Sequence, residues 1–199
     1  MSAVSPDLIE IITTTGSTVF NENEEAMEFL KGLILFNGTQ IILDLHGVLS
    51  ITKYDMPLHH GVCCLSYVGT KMRDTAREDL GRRIQSGQLA FAILVFKRGS
   101  RIKRGYELIT EPGSKAAVVV FLQQVIGKHC LFMDDSKDHI MSTKDLGKDA
   151  VYTTLSLKKD LTKKTREILA AFKVHAVEIT LTDPMQLREW IGLWADHFV

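Results

Sequence analysis

The stretch Thr-Gln-Ile-Ile-Leu-Asp-Leu-His-Gly, residues 39–47, is an apolar run that ends in an acidic residue, a histidine and a glycine. A continuous apolar run is typical of a strand buried on both faces of a sheet, and the abrupt change to polar residues marks its end. We therefore expect a central strand here, with Asp44 and His46 at its carboxyl end.

Further apolar runs alternate with helical segments along the chain. Strands are predicted at residues 61–66, 89–96, 129–133 and 150–155, and helices at 24–33, 70–85 and 115–126. Strands interleaved with helices indicate a parallel sheet with helices on both of its faces. The predicted fold class is α/β, a three-layer Rossmann-like fold with a central parallel sheet.

The two ends of the chain carry further elements. β-prone residues at 8–13 and 17–20 predict an N-terminal hairpin or a short edge strand, and Asn21 or Asn23 is expected to cap the helix that follows. The C-terminal third predicts a basic helix at 161–172, a strand at 174–181 and an amphipathic helix at 183–197. With 199 residues and no repeat or long linker, we expect residues 1–199 to form a single domain.

The overall composition is that of an ordinary soluble protein. Hydrophobic residues make up 45% of the chain, and 24 basic residues balance 24 acidic ones, so the total charge favours neither nucleic acid nor an anionic membrane. The basic run at 97–104 does not exclude nucleic acid, although a solvated loop is the commoner role of such a run. Because no signal peptide and no spanning apolar segment is visible, we expect a cytoplasmic protein that does not enter the membrane.

Three cysteines, Cys63, Cys64 and Cys130, lie in apolar surroundings without metal-ligand spacing. Buried, reduced thiols are therefore expected rather than a disulfide or a zinc site. Neighbouring residues on a strand face opposite sides, which argues against shared metal ligation by Cys63 and Cys64.

Polar residues follow several of the predicted strands. Asp44, Ser66 and the pair Asp134 and Asp135 each stand at the carboxyl end of a separate apolar run, and Lys115 begins the helix before the last of these. In an open parallel sheet, ligands bind beyond the carboxyl ends of the strands. These side chains are therefore expected to converge on one site.

At this point the sequence resembles the haloacid dehalogenase (HAD) superfamily. Residues 41–49, Ile-Ile-Leu-Asp-Leu-His-Gly-Val-Leu, are similar to its first motif, an apolar strand followed by Asp-x-Asp-Gly. Ser66 fits the second motif, Lys115 the third, and residues 131–140, which begin Leu-Phe-Met-Asp-Asp, the fourth. The resemblance covers about residues 39–156, so it implies a HAD-like core with N- and C-terminal extensions.

The resemblance implies a Mg²⁺-dependent phosphohydrolase that acts through an aspartyl-phosphate on Asp44. Mg²⁺ is then held by Asp44, the main-chain carbonyl of His46, Asp134 and Asp135. In the same scheme Ser66 donates a hydrogen bond to a phosphate oxygen. Lys115 neutralises charge beside the nucleophile.

His46 departs from the family pattern, because it occupies the place of the second acidic residue of the first motif. That residue protonates the leaving group and then activates water, and an imidazole can perform both proton transfers. The sequence leaves two readings open: an active phosphohydrolase, or a catalytically degenerate domain that serves as a binding or scaffold module. A plain Rossmann-like nucleotide-binding domain is disfavoured, because no GxGxxG turn follows the first strand.

The chain has no room for a large cap at the two places where the family inserts one. We therefore expect an open site, which favours a macromolecular or bulky phosphorylated substrate or a lid from elsewhere. A protein partner and a homo-oligomer remain open. The loop at 50–60, with Tyr54, His59 and His60, lies where a mobile flap would sit, and its two histidines are expected to be ordinary loop residues rather than metal ligands.

Overall fold

The computed structural model describes residues 7–97, 112–126, 130–136, 150–155, 176–181 and 184–197. The basic run after Lys97 and the helix expected at 161–172 lie outside these residues, as does most of the segment between the fourth motif and the next strand. All statements below concern the described part of the chain.

Eight strands and four α-helices make up the described structure. The strands are β1 (Asp7–Thr13), β2 (Gly16–Phe20), β3 (Ile41–Leu43), β4 (Val62–Tyr67), β5 (Ala92–Lys97), β6 (Leu131–Asp134), β7 (Ala150–Leu155) and β8 (Ala176–Leu181). The helices are α1 (Asn23–Asn37), α2 (Arg73–Gln85), α3 (Pro112–Ile126) and α4 (Pro184–His197). Two short 3-10 turns, Leu49–Ile51 and Thr70–Met72, lie in the connections.

The strands form one sheet in the order β2-β1-β5-β4-β3-β6-β7-β8. The six strands from β3 to β8 run parallel to one another, with Leu43 beside Cys64 on one side and Met133 on the other. The expected parallel sheet is thus present, but the sheet as a whole is mixed. The N-terminal hairpin of β1 and β2 extends it through antiparallel pairing of β1 with β5.

Helices cover both faces of this sheet, as the sequence predicts. On one face, α1 and α3 contribute Leu30 and Leu122 to a cluster that contains Ile42 and Cys63. On the other face, α2 and α4 contribute side chains such as Trp190 to a cluster that contains Leu43 and Cys64. Because β3 and β4 are buried on both faces, their sequences are apolar without alternation.

All three cysteines are free and buried. Cys63 and Cys64 face opposite clusters, as expected for neighbours on a strand. Burial raises the pKa of Cys63 and of Cys64 well above the ordinary thiol value, so both remain protonated at neutral pH. The prediction of buried, reduced thiols is confirmed.

Helix α1 differs from its prediction at its start. Neither Asn21 nor Asn23 caps it: Glu22 holds the N-cap position in an extended conformation, without a side-chain capping hydrogen bond. The helix also continues beyond residue 33. It ends at Asn37, because Gly38 adopts the left-handed conformation (φ 62°) and its N–H donates to the carbonyl oxygen of Ile34.

Candidate functional site

The site lies where the strand order reverses. From β3 the parallel sheet continues to β4 and β5 on one side and to β6, β7 and β8 on the other. Such a reversal opens a crevice beyond the carboxyl ends of the two central strands, which is where open α/β sheets bind ligands. Asp44 follows β3 and Asp134 ends β6, and the Asp44 N–H donates to the Met133 carbonyl at 2.9 Å. The two acidic residues therefore sit side by side in this crevice.

Lys115 links these two carboxylates. Its Nζ lies 2.6 Å from Asp44 Oδ1 and 2.8 Å from Asp134 Oδ2. Lys115 and Asp134 are fully buried and Asp44 is 6% exposed. A buried charge is stable only when it is paired and hydrogen-bonded, so the lysine and the two carboxylates hold one another in place.

A third carboxylate, Asp135, completes the cluster. One oxygen each from Asp44, Asp134 and Asp135 lies within 4.8 Å of the other two. Gly47 makes this approach possible: its φ is +80°, and a Cβ built on it would overlap the Asp135 carboxyl group. The glycine of the first motif is therefore required both by its backbone conformation and by its contact with the fourth motif.

The charges in this cluster shift one another's pKa. Burial and the nearby charge of Asp134 both raise the pKa of Asp44, whereas Lys115 lowers it. The upward effects are larger, so the pKa of Asp44 lies above its ordinary value. Burial, hydrogen bonding to Asp44 and the neighbouring negative charges raise the pKa of Asp135 to about 7. Burial alone would lower the pKa of Lys115, but the negative charges of Asp44 and Asp134 outweigh this effect, so the pKa is raised. Three carboxylates thus lie beside a single lysine, an arrangement that favours binding of a cation.

The donor set fits a hard divalent cation. Carboxylate oxygens are the ligands that Mg²⁺ and Ca²⁺ prefer. The carbonyl oxygens of Asp44 and Leu45 accept hydrogen bonds from Leu49 and Ser50, whereas the His46 carbonyl accepts none from the described residues. The four groups predicted as ligands are thus three clustered carboxylates and one carbonyl without a hydrogen bond.

The His46 side chain lies apart from this cluster. It is exposed and makes no hydrogen bond to any described residue. It lines a cleft of about 300 Å³ that opens between the residues after β3 and helix α2. His46 is therefore a lining residue of this cleft and not a member of the acidic cluster.

Ser66 stands near the carboxyl end of β4, on the same edge of the sheet as Asp44. Its Oγ is buried and has no hydrogen-bond partner among the described residues. An unpaired buried hydroxyl destabilises a fold by about 1–3 kcal/mol. The Ser66 hydroxyl is thus available to form a hydrogen bond with a ligand. It does not bond to Lys115 or to the carboxylates.

Hydrogen bonds from two buried side chains anchor the loop at 50–60, which lies where a mobile flap would sit. Buried Arg83 of α2 donates from Nη1 to Thr52 Oγ1 and to Gln88 Oε1, both at 2.9 Å. Gln88 Nε2 in turn donates to the carbonyl oxygens of Lys53 at 2.7 Å and Met56 at 2.9 Å. Two side chains thereby satisfy the buried polar groups of this loop.

Sequence reasoning missed this role of Arg83, although a signal was present. Arg83 follows Leu80 by three positions and so shares the helix face of Ala76 and Leu80, which is buried. A charged residue on an apolar helix face needs a partner in the interior. That placement could have predicted a buried arginine.

His59 and His60 lie outside the acidic cluster. Their rings are 4.1 Å apart, and His59 Nδ1 accepts a hydrogen bond from the Gly61 N–H. In the part of the chain that the structure describes, the group of side chains able to hold a metal ion consists of Asp44, Asp134 and Asp135. The two histidines are accordingly loop residues and not part of that group.

Comparison with known proteins gives no relative: no protein-family model, no curated protein and no solved structure matches this chain. Among the described helices, none combines the length and apolar character that crossing a membrane requires.

Proposed function

We propose that the chain is a Mg²⁺-dependent phosphohydrolase of the haloacid dehalogenase type, with Asp44 as its nucleophile. The observation that carries this proposal is the position of Lys115 Nζ, 2.6 Å from Asp44 and 2.8 Å from Asp134. Lys115 of the third motif thereby joins Asp44 of the first motif and Asp134 of the fourth in one buried cluster at the carboxyl edge of the sheet. The motif order in the sequence and the geometry of the site thus support the same chemistry.

Asp44, Asp134, Asp135 and the His46 carbonyl are the groups that would hold the metal ion. Mg²⁺ bound there would offset the negative charge of the phosphoryl oxygens, which otherwise repel an attacking carboxylate. Ser66 would donate its free hydroxyl proton to a phosphate oxygen. Lys115 holds one oxygen of Asp44 and contributes positive charge next to the reacting group.

Two steps complete the reaction. In the first, a carboxylate oxygen of Asp44 attacks the phosphorus atom, the ester P–O bond breaks, and the departing alcohol oxygen keeps the electron pair and takes a proton from His46. In the second, His46 accepts a proton from a water molecule whose oxygen attacks the phosphorus of the aspartyl-phosphate. The bond between the Asp44 carboxylate oxygen and phosphorus breaks, inorganic phosphate leaves and the Asp44 carboxylate is restored.

The substrate is a phosphate ester that enters an uncapped site. Residues 44–61, described without a gap, form a 3-10 turn and an anchored loop with no inserted domain. The second insertion point of the family falls at residues 98–111, outside the described residues. The open edge admits a bulky or macromolecular substrate, and a protein partner or a second copy could cover it.

One observation favours the alternative of a degenerate binding domain. The His46 imidazole is exposed and does not bond to Asp44 or to any other described residue, so no described residue orients it for proton transfer. In that case the acidic cluster binds metal and phosphate without turnover.

Colorimetric measurement of phosphate release with Mg²⁺ separates the two. For an active enzyme, Asp44→Asn abolishes turnover and His46→Ala lowers it by roughly 10²–10⁴-fold, the usual contribution of a positioned acid or base. For a degenerate domain, the native chain shows no turnover and His46→Asp restores some. Native activity that survives Asp44→Asn would refute the assignment of the nucleophile.

A further inference from the structure

Ser50 holds one peptide of the turn that follows β3. Its Oγ accepts a hydrogen bond from the Gly47 N–H at 3.0 Å. That N–H belongs to the same peptide unit as the His46 carbonyl, and the peptide is trans, so the two groups point in nearly opposite directions. The hydrogen bond to Ser50 therefore sets the direction of the His46 carbonyl as well.

The main chain of the turn does not hold this peptide. The Leu49 N–H donates to the Asp44 carbonyl at 3.0 Å. The Ser50 N–H donates to the Leu45 carbonyl at 2.7 Å. These two bonds close the turn around the peptide but use neither its N–H nor its carbonyl. Gly47 has a φ of +80°, and because glycine adopts positive and negative φ with similar ease, its own conformation leaves the peptide free to rotate.

Ser50 itself stands on a fixed part of the chain. It belongs to the 3-10 turn Leu49–Ile51, and the Thr52 hydroxyl donates to the Leu49 carbonyl at 2.7 Å. Buried Arg83 of α2 donates from Nη1 to the same Thr52 oxygen at 2.9 Å. An acceptor on such a support keeps its place, which is what precise ligand geometry requires.

The peptide that Ser50 holds borders the acidic cluster. Gly47 packs against the carboxyl group of Asp135, whereas Ser50 lines the cleft beside α2. The His46 carbonyl points away from Ser50 and accepts no hydrogen bond from the described residues. We propose that Ser50 is a positioning residue of the metal site, which holds the His46 carbonyl in the direction that a divalent cation needs. This inference rests on the proposed function for the role of that carbonyl as a ligand.

The geometry that Mg²⁺ demands makes this positioning matter. Mg²⁺ requires nearly octahedral ligands at about 2.0–2.1 Å, whereas Ca²⁺ accepts irregular arrangements at about 2.3–2.6 Å. A His46 carbonyl that is free to turn away should therefore lower the affinity for Mg²⁺ more than the affinity for Ca²⁺. Residues that orient a metal ligand typically contribute about 10- to 100-fold to metal affinity.

Two variants of nearly equal shape test the hydroxyl of Ser50. Ser50→Thr keeps an acceptor for the Gly47 N–H, and Ser50→Val puts a methyl group in its place. Calorimetric titration of the full chain should give Ser50→Val a Mg²⁺ dissociation constant about 10- to 100-fold above the native value and a smaller change for Ca²⁺. Ser50→Thr should bind both ions nearly as the native chain does. So should Thr75→Val, which removes a hydroxyl on α2 from the same cleft.

The outcomes separate the role of Ser50 from the proposed function. Unchanged Mg²⁺ affinity in Ser50→Val, or an equal loss for the two ions, overturns the positioning role, and the metal site still stands if Asp134→Ala abolishes binding. Weaker Mg²⁺ binding in Ser50→Val that Ser50→Thr restores, in a native chain that releases no phosphate, supports the positioning role and refutes the phosphohydrolase. A native chain that binds neither ion overturns both.

Discussion

The carboxyl group of Asp135 occupies the space that a side chain on Gly47 would need. A residue of the first motif and a residue of the fourth are thus matched to each other, although a long stretch of chain separates them. This contact brings the third carboxylate close to Asp44 and Asp134. Substitution of Gly47 tests it, and a second glycine, Gly87, provides the control.

Gly47→Ala should destabilise the protein and weaken Mg²⁺ binding. Its positive φ of 80° strains an alanine by roughly 1–2 kcal/mol, and the added methyl group displaces Asp135. Gly87→Ala is the matched control, because Gly87 has φ +83° with no atom within 4 Å of an added Cβ. Urea denaturation should show a similar strain in both variants. Calorimetry should show weakened Mg²⁺ binding in Gly47→Ala and in Asp134→Ala, but not in Gly87→Ala; equal Mg²⁺ affinity in all of them would contradict the role of this contact.

Lys115→Met should destabilise the protein in the absence of Mg²⁺. Removing one member of a buried ion pair typically costs about 3–5 kcal/mol, because the partner charges remain buried without compensation. Here two carboxylates, those of Asp44 and Asp134, would lose the same cation. Lys71→Met, at an exposed position, should change the free energy of unfolding by no more than about 0.5 kcal/mol. Similar unfolding curves for the two variants would show that the bridging lysine is not needed for stability.

Glu10 should make stability depend on pH in the acid range. Its buried carboxylate accepts hydrogen bonds from Arg77 Nε at 2.6 Å and Arg73 Nε at 3.2 Å. Burial alone would raise the pKa of Glu10, but the arginines outweigh this effect and lower it below the ordinary value of 4.5. A lowered pKa in the folded state adds stability above the unfolded value, and this stability is lost as the pH falls through the folded pKa. Glu10→Gln should therefore be less stable than the native chain at pH 7, by about 1–3 kcal/mol. The difference should shrink toward pH 3.

Asp74→Asn is the matched control for Glu10→Gln. Asp74 contacts the same Arg77, at 3.1 Å, but its side chain is largely exposed. Exposed ion pairs contribute about 0–1 kcal/mol, so denaturation at pH 7 should show a small effect. If Asp74→Asn costs as much as Glu10→Gln, burial is not what makes the Glu10 cluster stabilising.

Gln88→Leu should release the loop at 50–60. Gln88 Nε2 bonds to the carbonyl oxygen of Lys53, so trypsin gains access to the bond after Lys53 only when this loop opens. Limited proteolysis followed by mass spectrometry should show faster cleavage at Lys53 in Gln88→Leu. Gln85→Leu alters an exposed residue of the same region, and this variant should be cleaved at the native rate. Faster cleavage of both Gln88→Leu and Gln85→Leu would indicate a general loss of stability.

The sequence predicts those parts of the fold that depend on local patterns. Apolar runs that end in Asp44 and Asp134 identify two central strands and the edge that carries the acidic residues, because burial on both faces of a strand is visible in its composition. The buried position of Arg83 is visible in its helical spacing from Leu80, but its partners Thr52 and Gln88 are not, since they come from other segments of the chain. The direction of the His46 side chain likewise depends on the packing around the turn that follows β3.

The place of the N-terminal hairpin in the sheet has a consequence for how the chain folds. Strand β1 pairs with β5, joining Ile9 to Val95 and Ile11 to Ile93, so the hairpin has no docking edge until residue 97 has been synthesised. Contacts between residues so distant in sequence form slowly, because a long loop must close before they contribute. The hairpin is thus synthesised before the strand that it pairs with and is incorporated into the sheet late. Until then its apolar side chains, Ile9 and Ile11 among them, stay accessible to chaperones and to other nascent chains.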